Sequence, residues 1–191
     1  MKFNDVLLKR VEMFSKPEFI ERVTDEDKTM LKHLDILKEI NIHGFITNES
    51  QAGNHRKFKK PNENTQYEII ERAYISGFML ESIASKFITS LSIETDKIAF
   101  FIPCVNDDVY LPSQLDIPLT IIVKDGKYSE THTHMSSAFP KSHWESERKQ
   151  LNLNKSEKIV FIECIDYKWK RNASSPHGLF TDVLNTLKKL Q

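Results

Sequence analysis

One long segment most constrains how this chain folds. Between Thr65 and Leu91 apolar side chains recur at helical spacing, and Thr65 with Glu68 three residues later has the pattern of a capping box. Two apolar stripes lie side by side along this segment, so the predicted helix is apolar over a wide arc. We therefore predict a long central helix from Thr65 to about Leu91, covered on more than one side.

The segments around this helix are typical of strands. Residues 42–47 and 98–104 are apolar runs of strand length, and a strand, a crossover helix and a second strand favour a right-handed parallel unit. Residues 158–167 predict another buried strand. Residues 118–135 predict a hairpin around Asp125-Gly126, a dipeptide that suits a two-residue type I′ turn.

The expected architecture follows from this order of elements. The 191 residues fit one domain, in which helices within residues 1–40 pack on a sheet-containing core formed by residues 41–191. A last helix is expected after Ser175, with Pro176 at its first position. The predicted fold is a single, three-layer-like α/β domain with N-terminal helices, a long central helix, and a mixed, partly parallel sheet of about five strands.

Composition excludes some classes of partner. The chain has 27 basic and 27 acidic residues, so its net charge predicts no general affinity for nucleic acid or for an acidic membrane. The N-terminus lacks the apolar core of a signal peptide, and no apolar run reaches the ~20 residues that span a bilayer. Two cysteines in apolar runs are typical of reduced core thiols. We expect a soluble, cytoplasmic protein, with its cofactor and oligomeric state left open.

The loop after the first strand is the predicted ligand site. Ser50, Gln51 and Gly53 supply a hydroxyl, a carboxamide and a backbone that a ligand can approach closely. In open α/β sheets, ligands bind where a strand leads through a loop into a helix. The basic residues that follow, including Arg56, favour an anionic ligand. The alternative is an ordinary charged surface loop.

Arg72 is the charged residue of the predicted helix that most needs a partner, since an unpaired buried charge is costly. In one interpretation Arg72 holds a ligand or orients Glu49 or Gln51. In the other it pairs with Glu68 one turn earlier, for only ~0.2–0.5 kcal/mol. The candidate catalytic residues are Glu49, Ser50 and Gln51. The candidate ligand-binding residues are Gly53, Arg56, Glu68 and Arg72.

Three short motifs, Gly44-Phe-Ile-Thr47, Ser50-Gln-Ala-Gly53 and Arg72-Ala-x-x-x-Gly-Phe78, resemble an uncharacterised domain family found in bacteria and some viruses. That family pairs a GFxTxxSQxG strand-loop with a downstream RAxxxGF helix, more often with proline where this chain has Ala52. The resemblance implies a functional strand-loop-helix unit. It implies no particular activity, because none is established for the family.

A second candidate site lies on the strand of residues 128–135. Strand alternation puts Glu130, His132 and His134 on one face, and a His-x-His pair can chelate zinc or iron. The chain offers few further ligands at suitable spacing, so the wet face of an edge strand is the favoured interpretation. We predict no metal, with these three residues as weak candidates.

Three functional hypotheses result. The leading one is a small α/β domain that binds, and in one version transforms, an anionic, nucleotide-like small molecule at Ser50–Gly53 and Arg72. The alternative is a non-enzymatic protein-interaction or host-antagonist accessory protein of a virus or mobile element. The third is a metal-dependent hydrolase that uses His132 and His134. The sequence leaves open whether the protein is an enzyme.

Overall fold

The computed structural model describes residues 1–60, 63–106, 116–135, 139–154 and 156–191, and for residues 26, 27, 116, 130–135 and 139 the backbone only. The helices are α1 Phe3–Met13, α2 Pro17–Asp27, a 3₁₀-helix Lys28–His33, α3 Leu34–Ile42, α4 Glu81–Glu94, α5 Lys141–Gln150 and α6 Leu179–Lys189. The strands are β1 Ile46–Gln51, β2 His55–Lys59, β3 Gln66–Leu80, β4 Lys97–Ile102, β5 Cys104–Val105, β6 Asp116–Lys124, β7 Lys127–Met135, β8 Phe139–Pro140 and β9 Ile159–Trp169.

The predicted central helix is wrong over more than half of its length. Residues 66–80 form the long strand β3, and a helix begins only at Glu81. The segment is rich in aromatic and β-branched residues, which suit a pleated strand. The second half of β3 is buried on both faces, so both of its alternating sets of side chains are apolar. A short segment that is apolar on all sides fits a strand or a helix equally well. The capping-box pattern at Thr65 wrongly indicated a helix.

The predicted mixed, partly parallel sheet is also wrong. Within the seven-stranded sheet, every pairing among the described residues is antiparallel, in the order β4-β9-β3-β6-β7 with β1 and β2 along β3. The predicted crossover helix is itself a strand, so the parallel unit built on it does not form. Parallel pairing occurs between the short strands β5 and β8. The chain keeps its α/β class, with a curled antiparallel sheet.

Strand β3 belongs to two different regions. Its first half lies between β2 and β6, and its second half lies between β1 and β9. Helices α3, α4 and α6 contribute to the largest apolar cluster, which includes Ala73, Ile75 and Met79 of β3. On the other face, α1 packs against Phe78 and its neighbours. The second half of β3 is therefore the centre of the core.

Close contact between β1 and β3 depends on Gly77. A Cβ atom at this position would lie 2.1 Å from the carbonyl oxygen of Ile46 and 2.7 Å from the ring of Phe45. A glycine is needed here because the neighbouring backbone fills the space of a side chain. Gly77 therefore has a packing role, in a strand and not in the helix that the sequence predicted.

Several other local predictions are confirmed. The hairpin β6–β7 turns at Asp125 and Gly126, which both have positive φ angles, 47° and 76°, as a type I′ turn requires. Cys164 is a buried free thiol, but Cys104, predicted to lie in the core, is exposed. None of the helices in the described ranges is long and apolar enough to cross a membrane.

Candidate functional site

A cavity of about 350 Å³ lies between the N-terminal helices and the edge strand β1. Apolar side chains of these helices, such as Phe14 and Leu37, form part of its lining. Glu49, Ser50 and Gln51 of β1 also line it. The three predicted catalytic residues therefore border a single cavity, although β1 and not a βα loop carries them.

Strand β1 fixes these three side chains through its pairing with β3. Ser50 lies opposite Ile75, whereas Glu49 and Gln51 lie opposite Ser76 and Tyr74. The Tyr74 hydroxyl donates to Glu49 Oε2 over 2.8 Å, and burial raises the pKa of Tyr74, so this phenol remains a donor. Gln51 Nε2 donates to the carbonyl oxygen of Arg72 over 3.0 Å. Both polar side chains are thus held in place from β3.

Two arginines of the N-terminal helices supply positive charge to the cavity. Arg10 of α1 donates through Nε and Nη2 to the carbonyl oxygen of Thr47, at 3.0 and 2.5 Å. Burial lowers the pKa of Arg10, and the nearby charge of Arg22 lowers it further. Arg10 forms no ion pair with any residue that the structure describes. Arg22, from α2, lines the same cavity with its guanidinium 5.2 Å from the ring centre of Phe19.

The two acidic residues of the cavity have partners of their own. The Glu49 carboxylate accepts the Tyr74 hydroxyl, and Glu71 lies 3.9 Å from Arg56 in an ion pair. Neither carboxylate is paired with Arg10 among the described contacts. A bound anion would reduce the repulsion between the two guanidinium groups, which the fold holds close together.

Arg72 lies outside this cavity. Its guanidinium carbon is 4.1 Å from the ring centre of Trp169 and 5.7 Å from that of Tyr167. Its Nη1 donates to the carbonyl oxygen of Pro118 over 3.2 Å. Arg72 therefore reaches Gln51 only through its own backbone carbonyl. Its described partners are therefore the ring of Trp169 and the carbonyl oxygen of Pro118, whereas Glu68 is paired with other residues.

The other predicted ligand-binding residues also lie apart from the cavity. Glu68 pairs with His55, Lys57 and Lys170, at 2.5, 3.5 and 3.9 Å, and the hydrogen bond with His55 lowers the pKa of Glu68. Arg56 is exposed on β2. A Cβ atom at Gly53 would lie 2.2 Å from the carbonyl oxygen of Arg171, so the chain itself occupies the space that was expected to admit a ligand.

The predicted metal candidates cannot be placed as ligands. Glu130, His132 and His134 belong to β7, but their side chains lie outside the described part of the structure. Among the side chains that are described, no group of three His, Cys, Asp or Glu residues has an arrangement suited to a metal ion. The metal hypothesis stays a prediction.

A second, larger cavity of about 940 Å³ lies beside a cluster of charges that the sequence analysis missed. The buried Lys97 Nζ lies 3.1 Å from Asp182 Oδ2, 3.6 Å from Asp166 Oδ2 and 2.5 Å from Asp96 Oδ1. It also donates to the carbonyl oxygen of His177 over 2.9 Å. We call Asp96, Lys97, Asp166, Arg171 and Asp182 the ionic cluster.

The charges of the ionic cluster pair with one another. Arg171 donates to both carboxylate oxygens of Asp96, at 2.8 and 2.6 Å. These bonds, ahead of other causes, lower the pKa of Asp96, whereas burial raises the pKa of Asp166. Oδ2 of Asp166 and Oδ2 of Asp182 lie within ion-pair distance of Lys97 but accept no described hydrogen bond. The ionic cluster therefore ties β4, β9 and α6 together through ion pairs.

The sequence did contain a signal for the ionic cluster. Lys97 begins an apolar strand, Asp166 interrupts another, and Asp182 lies on the apolar side of α6. A single charge at a position that faces the core must be paired, so two such charges of opposite sign predict a buried ion pair. The pairing itself depends on tertiary contacts that a single sequence does not reveal.

No protein-family model matches the chain, and a search of curated proteins also gives no match. The resemblance carried by residues 44–78 is therefore untested. One of its elements takes a different form here, because residues 72–78, expected on a helix, lie in β3.

Proposed function

We propose that the protein binds an anionic, nucleotide-like small molecule in the cavity between the N-terminal helices and β1. The observation that carries this proposal is that Arg10 and Arg22 line the same cavity as Ser50 and Gln51. Among the described residues no carboxylate lies within ion-pair distance of Arg10, and Glu147 attracts it only at longer range. The cavity volume, about 350 Å³, falls within the usual range for small-molecule sites. The proposal keeps Ser50 and Gln51 and replaces Arg72 with the two helical arginines.

Each lining group has a role that suits its chemistry. Arg22, which is exposed, would bind the anionic group, and Arg10 would support it from its fixed position on Thr47. Ser50 and Gln51 offer a hydroxyl and an amide to neutral polar groups. The apolar side chains of the N-terminal helices would accept an uncharged part such as a base. No described histidine lines the cavity, so binding is the proposed activity and catalysis is not.

We place the binding protein in the cytoplasm. Its two cysteines are free thiols, one exposed and one buried, as is usual in a reducing compartment. The free thiols support a cytoplasmic location.

The test is calorimetric titration with three probes, namely inorganic phosphate, UMP and AMP. Arg22→Gln should weaken the binding of the nucleotide by about tenfold or more, because it removes a charge-assisted contact. Lys59→Gln is the control, since Lys59 is an exposed cation on β2 outside the cavity. If none of the probes binds the wild type, or if Arg22→Gln binds as well as the wild type does, the proposal is wrong.

The protein-interaction alternative rests on a different observation. An apolar groove of about 470 Å³ lies between α1 and the C-terminal end of α6, bordered by Leu8 and Ile42, which are 64% and 46% exposed. Nothing on the described surface indicates what would cover this groove. The cavity with its two arginines is therefore the better-supported site.

A further inference from the structure

One part of the sheet extends beyond the described helices. Strand β2, the first half of β3, β6 and β7 form a four-stranded antiparallel arm, and no described helix packs extensively on β2, β6 or β7. Every residue of β2 is exposed. We call this region the arm.

One face of the arm combines aromatic rings with cations. Strand register places Phe58, Tyr67, Lys124 and Lys127 in one row across the four strands. The rings of Phe58 and Tyr67 are stacked, with centroids 5.5 Å apart and planes 17° apart, and Phe58 is 39% exposed. Arg56 occupies the next row of the same face, beside Ile69. We call this surface the aromatic face.

The cations of the aromatic face surround the rings. Lys60 Nζ and Lys124 Nζ lie 4.8 and 5.7 Å from the ring centre of Tyr67. The described acids on this face are Glu63, which accepts the Tyr67 hydroxyl and pairs with Lys60, and Glu71, which pairs with Arg56. Lys124 and Lys127 remain as an excess of positive charge next to an exposed ring.

The opposite face of the arm differs in arrangement. It is also basic, but Lys57, Lys170 and the imidazole of His55 converge on the carboxylate of Glu68, and Lys59 lies in the outer row of this face. Its exposed ring, Tyr128, is 67% exposed and lies opposite Val123, away from the Phe58–Tyr67 pair. Among the described residues, only the aromatic face therefore combines stacked rings with an excess of lysines beside them.

From this arrangement we propose that the aromatic face binds single-stranded nucleic acid. A base stacks on the exposed ring of Phe58, and the lysines beside the Tyr67 ring turn to the phosphates on either side. A duplex hides the faces of its bases inside the stack and gains only the lysine contacts. An acidic peptide likewise uses the cations and not the rings. The zero net charge of the chain does not oppose this, because the charge that matters is local.

The experiment is fluorescence anisotropy with labelled single-stranded DNA and RNA homopolymers of about 12 nucleotides. Phe58→Ala should raise the Kd by about tenfold through the loss of stacking. Tyr128→Ala, which removes an exposed ring from the opposite face of the same arm, should change the Kd by less than about twofold. Thermal melting of each variant checks the fold, and Phe58→Leu, which keeps the apolar bulk, should also weaken binding.

The salt dependence separates stacking from charge. Between about 50 and 200 mM salt, Lys124→Gln should reduce the slope of log Kd against log salt by about 0.7, whereas Lys57→Gln on the opposite face should leave it unchanged. Equal affinity for a duplex or for polyglutamate, with Phe58→Ala and Tyr128→Ala indistinguishable, would mean that only charge is recognised and would overturn the proposal. An absence of binding at low salt would overturn it too.

This site is independent of the proposed small-molecule cavity. Arg22→Gln should leave the affinity for the oligonucleotide unchanged, and Phe58→Ala should leave the binding of UMP unchanged. The failure of either proposal can therefore be recognised without reference to the other.

Discussion

Buried positive charge has different surroundings in the ionic cluster around Lys97 and in the cavity beside Arg10. Lys97 has three carboxylates and a backbone carbonyl around its ammonium group. Arg10 has a backbone carbonyl and the thioether of Met13 as hydrogen-bond acceptors, with a second arginine nearby and the Glu147 carboxylate acting only at longer range. The larger cavity thus borders charges that pair with one another, and the smaller one borders an arginine with no carboxylate within ion-pair distance among the described residues. Cavity volume alone does not distinguish these two arrangements.

The largest expected effect comes from removing the centre of the ionic cluster. Lys97→Met leaves the buried Asp182 without its cation and Asp166 with Arg171 alone, and should lower the free energy of unfolding by about 3–5 kcal/mol. Denaturation by urea measures this. Lys168→Met is the control, because Lys168 contacts Asp96 from an exposed position and should cost about 1 kcal/mol or less. Equal stability of the two variants would contradict a structural role for the cluster.

Arg72 is an intermediate case, because its guanidinium contacts the ring of Trp169, whereas Lys97 contacts carboxylates. Arg72→Met should lower the free energy of unfolding by about 1–2 kcal/mol, through the loss of the contact with Trp169 and of the bond to Pro118. Arg72→Lys keeps the charge but loses the planar stacking, and should recover only part of this. Binding of UMP should be the same in both variants and in the wild type. If either variant loses the binding of UMP but keeps its stability, Arg72 is a ligand-binding residue, as the sequence predicted.

Acid should weaken the ionic cluster through Asp96. Its pKa is lowered in the folded protein, so its contribution to stability is present above its ordinary value of 3.8 and is lost as the pH falls below it. The raised pKa of Asp166 acts in the opposite sense, because protonation relieves a buried charge. Asp96→Asn should therefore be less stable near neutral pH and show a flatter loss of stability in acid. Urea denaturation across the acid range measures both effects.

The smallest effect on stability is expected at the open site. Arg22→Gln should change the free energy of unfolding by no more than about 0.5 kcal/mol, although it weakens ligand binding, because Arg22 is exposed and stabilises little. Chemical denaturation without ligand gives the comparison with Lys97→Met. A large loss of stability would show that Arg22 is a structural residue, and the contrast between the two sites would disappear.

The sequence predicted local structure well where the signal was local. The Asp125-Gly126 turn needs positive φ angles that few dipeptides adopt, so the dipeptide by itself identifies the turn. The segment 66–80 was mispredicted because its burial on both faces is decided by β1, β9 and the helices around them. Glu49, Ser50 and Gln51 were named from their position after a strand, but Arg10 and Arg22 come from the N-terminal helices. No pattern in those helices distinguishes them from ordinary surface residues.

Because β3 belongs to both the core and the arm, the core fixes the register of the strand in the arm. Successive side chains of a strand alternate between faces, so a slip of one residue would turn Tyr67 away from Phe58. The same slip would carry Ile75 out of the apolar core and drive a side chain into the space that Gly77 leaves for Ile46. The buried half of the strand thereby dictates which side chains the exposed half displays. Substitutions can change the chemistry of the arm one residue at a time, but they cannot exchange its two faces without dismantling the core.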